Sequence, residues 1–160
     1  MPWTNPSQLV LYHGTVDLYM ASIAHGIDVT IGGISKDFSR GFYTTTYFAQ
    51  AATHARNLRH RLHPKGARRA VVGVFTVTRD MISSLTSMAF VYPTNDFWDL
   101  IDWCRSNHPG HHAGGYYDVV YGPVTQDYRR RTVHDEYDQV SFHNAATVGV
   151  LGVPQWSIVV

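Results

Sequence analysis

Alternating apolar and polar positions predict several short strands along the chain. The apolar run Leu9–His13 ends at Gly14 and predicts the first strand. Gly41–Thr45 and Arg69–Thr78 are rich in aromatic and β-branched residues, which suit a pleated surface. Three more strands are predicted in the second half, at Tyr117–Tyr121, Gln139–Phe142 and Ser157–Val160.

Helical spacing of apolar residues predicts helices between these strands. Asp17 or Thr15 is a candidate cap for the first helix, and Gly26 closes it. Pro64 stops the second. The predicted helices cover Asp17–Ala24, Phe48–Leu62 and Asn95–Cys104, with a helical turn near Asn144–Val150. The pattern is α+β, and without an internal repeat or a long linker it predicts one domain over residues 1–160.

Composition places the chain among globular proteins, since 44% of its 160 residues are hydrophobic and only 16% are charged. Cys104 is the only cysteine, so no intrachain disulfide can form and a reducing compartment is expected. Met1–Ser7 lacks the features of a signal peptide, and no stretch reaches the roughly 20 apolar residues of a membrane span. We therefore expect a cytoplasmic protein without a membrane partner.

Candidate chemistry lies where polar side chains sit beside glycines at predicted strand ends. His13 offers a ring donor next to Gly14, whose backbone a flat ligand could approach closely. Tyr43 follows Gly41 and offers an aromatic face for stacking. Gln139 brings an amide group to a late strand.

These segments resemble the opening of ADP-ribosyltransferase domains, in which an L-x-H-G-[ST] strand precedes an I-x-x-x-G-[IL] helix end and a G-x-G-[IF]-Y strand. More closely, they resemble a bacterial domain family of unknown function within that superfamily. Its members carry G-F-Y-x-T-T, D-x-V-x-G-P-V and D-Q-[IV]-S-F motifs. The matching segments here are Leu11–Thr15, Ile23–Ile27, Gly41–Thr46, Asp118–Val124 and Asp138–Phe142.

The resemblance implies a role for each matching residue. His13 would hydrogen-bond the nicotinamide-side ribose of NAD, and the Gly14 backbone would hold the carboxamide. Tyr43 would stack on the nicotinamide ring, with His54 in the place of a second aromatic residue. The neighbouring threonines belong to the same cofactor-binding set, Thr15 and Thr44.

Gln139 stands where efficient transferases usually carry a glutamate that grips the ribose 2′-hydroxyl. Glutamine can accept that hydrogen bond, but it brings no negative charge to the developing cation. Asp135, Glu136 and Asp138 precede it and are candidates to supply charge. Asp138 would point to the opposite face of a strand, which argues against it.

The implied fold is a split-sheet α+β domain, with two facing, mostly antiparallel sheets and NAD in the cleft between them. The implied activity is NAD-dependent ADP-ribosylation of a protein or nucleic acid, with loss of nicotinamide. Bacterial relatives of this size are often toxins of toxin–antitoxin pairs or phage-conflict proteins, so an antitoxin partner is expected. The alternatives are a non-catalytic module that binds NAD or a partner, an NAD glycohydrolase and, ranked low, an RNA 2′-phosphotransferase.

Two further patterns have competing interpretations. No acidic residue occurs between Gln50 and Thr78, where the basic stretch Arg56–Arg69 lies. This stretch is either a solvated helix face or a footprint for NAD pyrophosphate, nucleic acid or an acidic protein. His108, His111 and His112 suggest zinc, but no second ligand cluster accompanies them, and a mobile histidine-rich loop is favoured.

Overall fold

A computed structural model of the chain describes residues 7–159, which form two compact units. The first unit contains the chain up to Ile27, Thr44–Ser84 and the chain from Gly149 onward. The second contains Asp28–Tyr43 and Leu85–Val148. That the chain is one domain stays a prediction.

The first unit is built on a three-stranded antiparallel sheet in the order β1-β3-β7. The long pairing of β1 with β3 sets His13 opposite Gly73. The elements of this unit are β1 (Gln8–Val16), α1 (Asp17–His25), α2 (Phe48–Leu62), β3 (Ala70–Thr78), α3 (Arg79–Ser83), a 3₁₀ turn (Gly149–Leu151) and β7 (Gln155–Ile158).

Helix α2 contacts this sheet through alanines, which let the helix backbone come close. Ala51, Ala52 and Ala55 are its buried residues, and the first two pack with Val72 of β3. The opposite side of α2 carries its arginines and histidines. The helix is therefore amphipathic, with a buried stripe of small residues.

The second unit is built on a four-stranded sheet in the order β2-β6-β5-β4. Strands β5 and β6 are antiparallel, and β4 and β5 are parallel. Helix α4 buries an aromatic and aliphatic face against Phe38, Phe90 and Val120. The elements are β2 (Phe42–Thr44), β4 (Ser87–Ala89), α4 (Asn95–Arg105), β5 (Val119–Asp127), β6 (Thr132–Phe142) and α5 (Ala145–Val148).

Cys104 lies on the buried face of α4 and is fully shielded from solvent. Its Sγ contacts the Gly110 carbonyl oxygen at 3.9 Å. Burial raises the pKa of the thiol to about 12, so the group is protonated at neutral pH. The side chain therefore behaves as a small apolar core residue.

The predicted α+β class with two mostly antiparallel sheets is confirmed. Helix α2 has the predicted bounds, and α1 and α4 each end one residue later than predicted. The predicted cap of α1 is wrong, because the N-cap residue is Val16, which has no side-chain hydrogen bond to the helix. Asp17 is instead the first helical residue, where its negative charge interacts favourably with the positive end of the helix dipole.

The strands differ most where side chains are polar on both faces. Strand β6 begins at Thr132, whereas the sequence predicted Gln139. The prediction missed the first half of the strand because that half is largely exposed and has no apolar alternation. Strand β5 is shifted to Val119–Asp127, and β7 ends at Ile158. Val160 of the predicted last strand and residues 1–6 of the stretch examined for a signal peptide lie outside the described residues.

Two short elements were not predicted, α3 and β4. Helix α3 is initiated by Thr78, whose Oγ1 accepts a hydrogen bond from the Met81 amide at 3.2 Å. Within residues 7–159, no helix is both long and apolar enough to cross a bilayer.

Candidate functional site

His13 and Gly14 lie near the end of β1, where the strand touches α2. A Cβ added to Gly14 would stand 1.9 Å from the carbonyl oxygen of Ala51 and 3.1 Å from the amide nitrogen of Ala55. The glycine is therefore required for packing, since any side chain would collide with the α2 backbone. His13 is half-buried and Thr15 is buried.

The start of α2 is fixed to β1 by a short polar connection. Thr45 and Tyr12 exchange backbone hydrogen bonds of 2.8 and 2.9 Å. The Thr45 hydroxyl donates to Gln50 Oε1 at 2.7 Å and accepts from the Tyr47 amide at 3.1 Å. Thus Thr45, next to the predicted Thr44, sets the position at which α2 begins.

The first unit thus holds five of the predicted site residues. His13, Gly14 and Thr15 are consecutive on β1, buried Thr44 ends β2, and His54 is exposed on α2. Tyr43 and Gln139 belong to the second unit, on β2 and β6, which are neighbouring strands of its sheet.

Tyr43 closes the loop that precedes β2. Its hydroxyl donates to the Ser39 carbonyl at 2.7 Å and accepts from the Phe38 amide at 3.0 Å. Burial raises the pKa of the phenol well above its ordinary value, so the hydroxyl keeps the proton that it donates. The tyrosine therefore has a structural role through its oxygen, whatever its ring contacts.

The ring of Tyr43 already has a cationic neighbour. Lys36 Nζ lies 5.0 Å from the ring centroid, within the range of a cation–π interaction. Burial lowers the pKa of this lysine. A positively charged nicotinamide ring on the same face of Tyr43 as Lys36 would be repelled by the lysine. On the opposite face, the two cations would contact the same tyrosine ring.

Gln139 is held by two acceptors. Its Nε2 donates to Asp37 Oδ2 at 2.8 Å and to the Pro123 carbonyl at 2.9 Å. Because a carboxylate and a carbonyl can only accept, they fix which end of the amide is nitrogen. The carbonyl oxygen of Gln139 is consequently the end directed away from Asp37 and Pro123.

Asp37 is the centre of this polar network and was not among the predicted site residues. The side chain is buried and forms a salt bridge with Arg105, whose Nε also donates to Oδ1 at 3.0 Å. Thr125 donates to it twice, from its amide at 2.9 Å and from its hydroxyl at 2.6 Å. The carboxylate beside Gln139 thus comes from a loop 102 positions earlier in the sequence.

One signal in the sequence pointed to Asp37. It is the only acidic residue between Asp28 and Asp80, yet it lies in a loop that was given no role. Nothing local indicated its partners, because Arg105 and Thr125 are 68 and 88 positions away. Asp135 and Glu136, which the sequence offered as sources of charge, are exposed on β6.

Two buried histidines hold the loop that precedes β2. His143 donates from Nδ1 to the Arg40 carbonyl at 2.7 Å, and its Nε2 accepts from the Ser141 hydroxyl at 2.8 Å. A Cβ on Gly41 would stand 2.6 Å from His143 Nδ1, which gives this motif glycine a packing role as well. Burial and the neighbouring His111 lower the pKa of His143 to about 3.

His111 is the second of these rings, and its ring lies 4.2 Å from that of His143. Its Nδ1 accepts from the Tyr117 amide at 2.8 Å, so Nε2 carries the proton that it donates to the Phe38 carbonyl at 3.0 Å. Burial lowers its pKa to about 4. The prediction of a mobile loop is therefore wrong at His111, because a ring bonded at both nitrogens is fixed.

No group of three or more His, Cys, Asp or Glu side chains with the spacing of a metal site occurs in the part of the chain that the structure describes. His108 stacks on the indole of Trp103 at 3.9 Å.

Comparison with known proteins gives one match. The family described as "Protein of unknown function (DUF3990)" matches residues 9–151. Neither the curated proteins nor the solved structures contain a significant match.

Proposed function

The chain belongs to the protein family of unknown function DUF3990, and from this premise we propose that it is an NAD-dependent ADP-ribosyltransferase. In this proposal the bond between ribose C1′ and the nicotinamide nitrogen breaks, and its electron pair leaves with nicotinamide. A nucleophile of a protein or nucleic acid then attacks C1′ and loses its proton. The proposal rests on the ordered motifs around His13, Tyr43 and Gln139, and on the state of Gln139.

The observation that supports it most is the orientation of the Gln139 amide. Both hydrogens are taken by Asp37 and Pro123, so the carbonyl oxygen is the group offered to a ligand hydroxyl. The hydrogen bond to a carboxylate polarises the amide and makes that oxygen a stronger acceptor. Asp37 thereby supplies part of what a glutamate would supply, although Arg105 balances its formal charge.

The roles of the other residues follow from the resemblance. His13 hydrogen-bonds the ribose, the Gly14 backbone holds the carboxamide and Tyr43 stacks on the leaving ring. Thr15, Thr44 and His54 complete the cofactor-binding set. As further parts of the proposal, the protein acts in the cytoplasm, and an antitoxin neutralises it.

The test is release of nicotinamide from labelled NAD by the purified protein, with and without cell lysate. His13→Gln and Gln139→Met, which keep side-chain size but change the hydrogen-bonding groups, should each lower release by at least about tenfold. His60→Gln on the exposed side of α2 is the matched control and should leave it unchanged. Label on a macromolecule would identify the acceptor class.

Other outcomes separate the alternatives. Release without transfer to any lysate component would indicate an NAD glycohydrolase. Saturable NAD binding without release would indicate a non-catalytic NAD-binding module. Absence of both NAD binding and nicotinamide release would refute the proposal.

A further inference from the structure

A cavity of about 730 Å³ opens in the second unit. Its walls come from β4 and the turn after it, from α4, and from residues 111–117. None of the seven predicted site residues lines it. Its size is that of cavities that hold ligands of several tens of atoms. Its aromatic walls are Phe90, Tyr92, Trp103 and Tyr117.

The charges of this cavity are all of one sign. Asp96 and Asp99 line it, and no lysine or arginine does. The two aspartates are three positions apart on α4, so they lie on one face of the helix. Neither has a hydrogen-bond or ion-pair partner among residues 7–159. His111, the buried histidine of the lining, is neutral at pH 7, because burial lowers its pKa to about 4.

This distribution decides the class of ligand. Asp96 and Asp99 are exposed, and their two carboxylates beside the aromatic walls repel phosphate groups, so the cavity is a poor site for the pyrophosphate of NAD. They attract a cation. Aromatic faces beside carboxylates favour a flat, weakly hydrated cation over a compact ammonium, because a guanidinium both stacks and donates in pairs.

One lining residue, Trp103, carries a donor without an acceptor. Trp103 Nε1 is buried and has no hydrogen-bond partner among the described residues. Stacking with His108 fixes the plane of the indole. A buried N–H left unpaired is destabilising, so a ligand whose carbonyl oxygen reached it would relieve that cost.

The rim indicates that the ligand is carried by a larger molecule. Val91 and Tyr92 line the cavity and expose 49% and 73% of their surface, respectively. Protruding aromatic and aliphatic side chains around a pocket are typical of protein contact surfaces, where a central side chain inserts and its neighbours pack on the rim.

We propose that this cavity binds an arginine side chain of a partner polypeptide. The guanidinium pairs with Asp96 and Asp99 between the aromatic walls. A backbone carbonyl of the partner accepts from Trp103 Nε1. The apolar residues beside the arginine pack on Val91 and Tyr92. The inference does not depend on the proposed enzymatic activity, since no NAD-binding residue takes part.

The test is titration of the full chain with the peptide acetyl-Leu-Gly-Arg-Gly-Leu-amide. Binding is measured by the fluorescence anisotropy of a labelled form of the peptide and by the indole N–H signals in NMR spectra. Asp99→Asn should weaken binding about tenfold, as expected for loss of a charge-assisted hydrogen bond. Asp102→Asn is the matched control, since Asp102 is on the same helix but does not line the cavity, and it should change binding by less than about twofold.

A second arm replaces arginine in the peptide by citrulline, which has the same shape without the charge, and should again weaken binding about tenfold. The Trp103 indole signal, assigned with Trp103→Phe, should move on binding of the arginine peptide. Equal binding of the citrulline peptide, an unaffected Asp99→Asn variant, or no binding up to about 1 mM peptide would each overturn the proposal. Agmatine binding as tightly as the peptide would overturn the assignment of the partner as a polypeptide.

Discussion

His13 and Gln139, the residues at the two ends of the predicted site sequence, are held in place by opposite means. Beside His13, position is set by the absence of a side chain at Gly14, which lets the backbone of α2 come into contact with β1. Gln139 is positioned by charge and hydrogen bonds that converge on Asp37. The first arrangement is steric and local, whereas the second is polar and joins distant segments.

The contrast shows which kind of site design a sequence reveals. A glycine demanded by close packing leaves a mark next to the residue that it serves, as in the pair His13–Gly14. A polar network leaves its members scattered among ordinary loop and strand residues. The same contrast predicts how each region responds to substitution.

The largest effect is expected from Gln139→Glu, which would bury a second carboxylate against Asp37. An uncompensated buried charge costs about 3–5 kcal/mol, so the free energy of unfolding at pH 7 should fall by that amount in urea denaturation. Asp37→Asn should also destabilise the protein, because Arg105 loses its partner.

The double variant Asp37→Asn/Gln139→Glu exchanges the amide and the carboxylate and should recover most of the loss. A coupling free energy of at least about 2 kcal/mol in the double-mutant cycle is expected. Additive effects would show that the two side chains do not depend on each other.

Gly14→Ala should destabilise the first unit by about 3 kcal/mol, because the new Cβ meets the Ala51 carbonyl and the helix must move. Gly149→Ala in the same unit is the control, since a Cβ there meets nothing within 4 Å. It should change stability by less than about 0.5 kcal/mol in the same denaturation experiment. Equal stability of both variants would argue against the close contact of β1 and α2.

The pH dependence of stability sharpens the comparison, because its source lies in the second unit. The folded-state pKa values of His111 and His143, about 4 and about 3, are below the ordinary 6.5. The unfolded chain therefore binds protons first as the pH falls, and stability that is complete above pH 6.5 is lost progressively below it. By pH 5.5 each ring should contribute a loss of about 1.4 kcal/mol.

Urea denaturation between pH 7.5 and 5.5 checks this expectation. His60→Gln, on the exposed side of α2, should leave the slope unchanged. His143→Gln should reduce it by about half, once its own lower stability is subtracted. A flat profile for the unsubstituted protein would mean that neither ring is shielded from solvent.

Tyr43→Phe should give the smallest effect, about 1 kcal/mol, because it removes the hydrogen bonds with Phe38 and Ser39 while keeping the ring. If the ring stacks on nicotinamide as proposed, kcat/KM for nicotinamide release should stay within about threefold of the value for the unsubstituted protein. A much larger loss with unchanged stability would assign the hydroxyl a direct part in the reaction.

The sequence predicted the elements that have a clear period and missed those that do not. Helix α2 was predicted to the residue because alanines, arginines and a following proline leave little alternative. The first half of β6 was missed, since its polar residues carry no alternation; Thr132 and Val133 pair with β5, and Val133 packs on the core. Local signals therefore fixed the helices better than the strand ends.

For the candidate site, the sequence placed His13, Tyr43 and Gln139 on strands β1, β2 and β6, but not their surroundings. From the sequence, Gly14 was explained by the close approach of a ligand, whereas the structure shows the close approach of the α2 backbone at Ala51. The partner of Gln139 was missed, because Asp37 is brought to it only by folding of the second unit.

The buried thiol of Cys104 is a probe for the opening rate of the second of the two units. A protonated, shielded thiol does not react with disulfide reagents, since the thiolate is the nucleophile. Labelling must therefore wait until α4 and its core open, and its rate at low denaturant measures how often they do. Since the sequence has 1 cysteine, the first unit is silent in that measurement. A labelling rate much faster than global unfolding would show that the second unit opens on its own while the first stays closed.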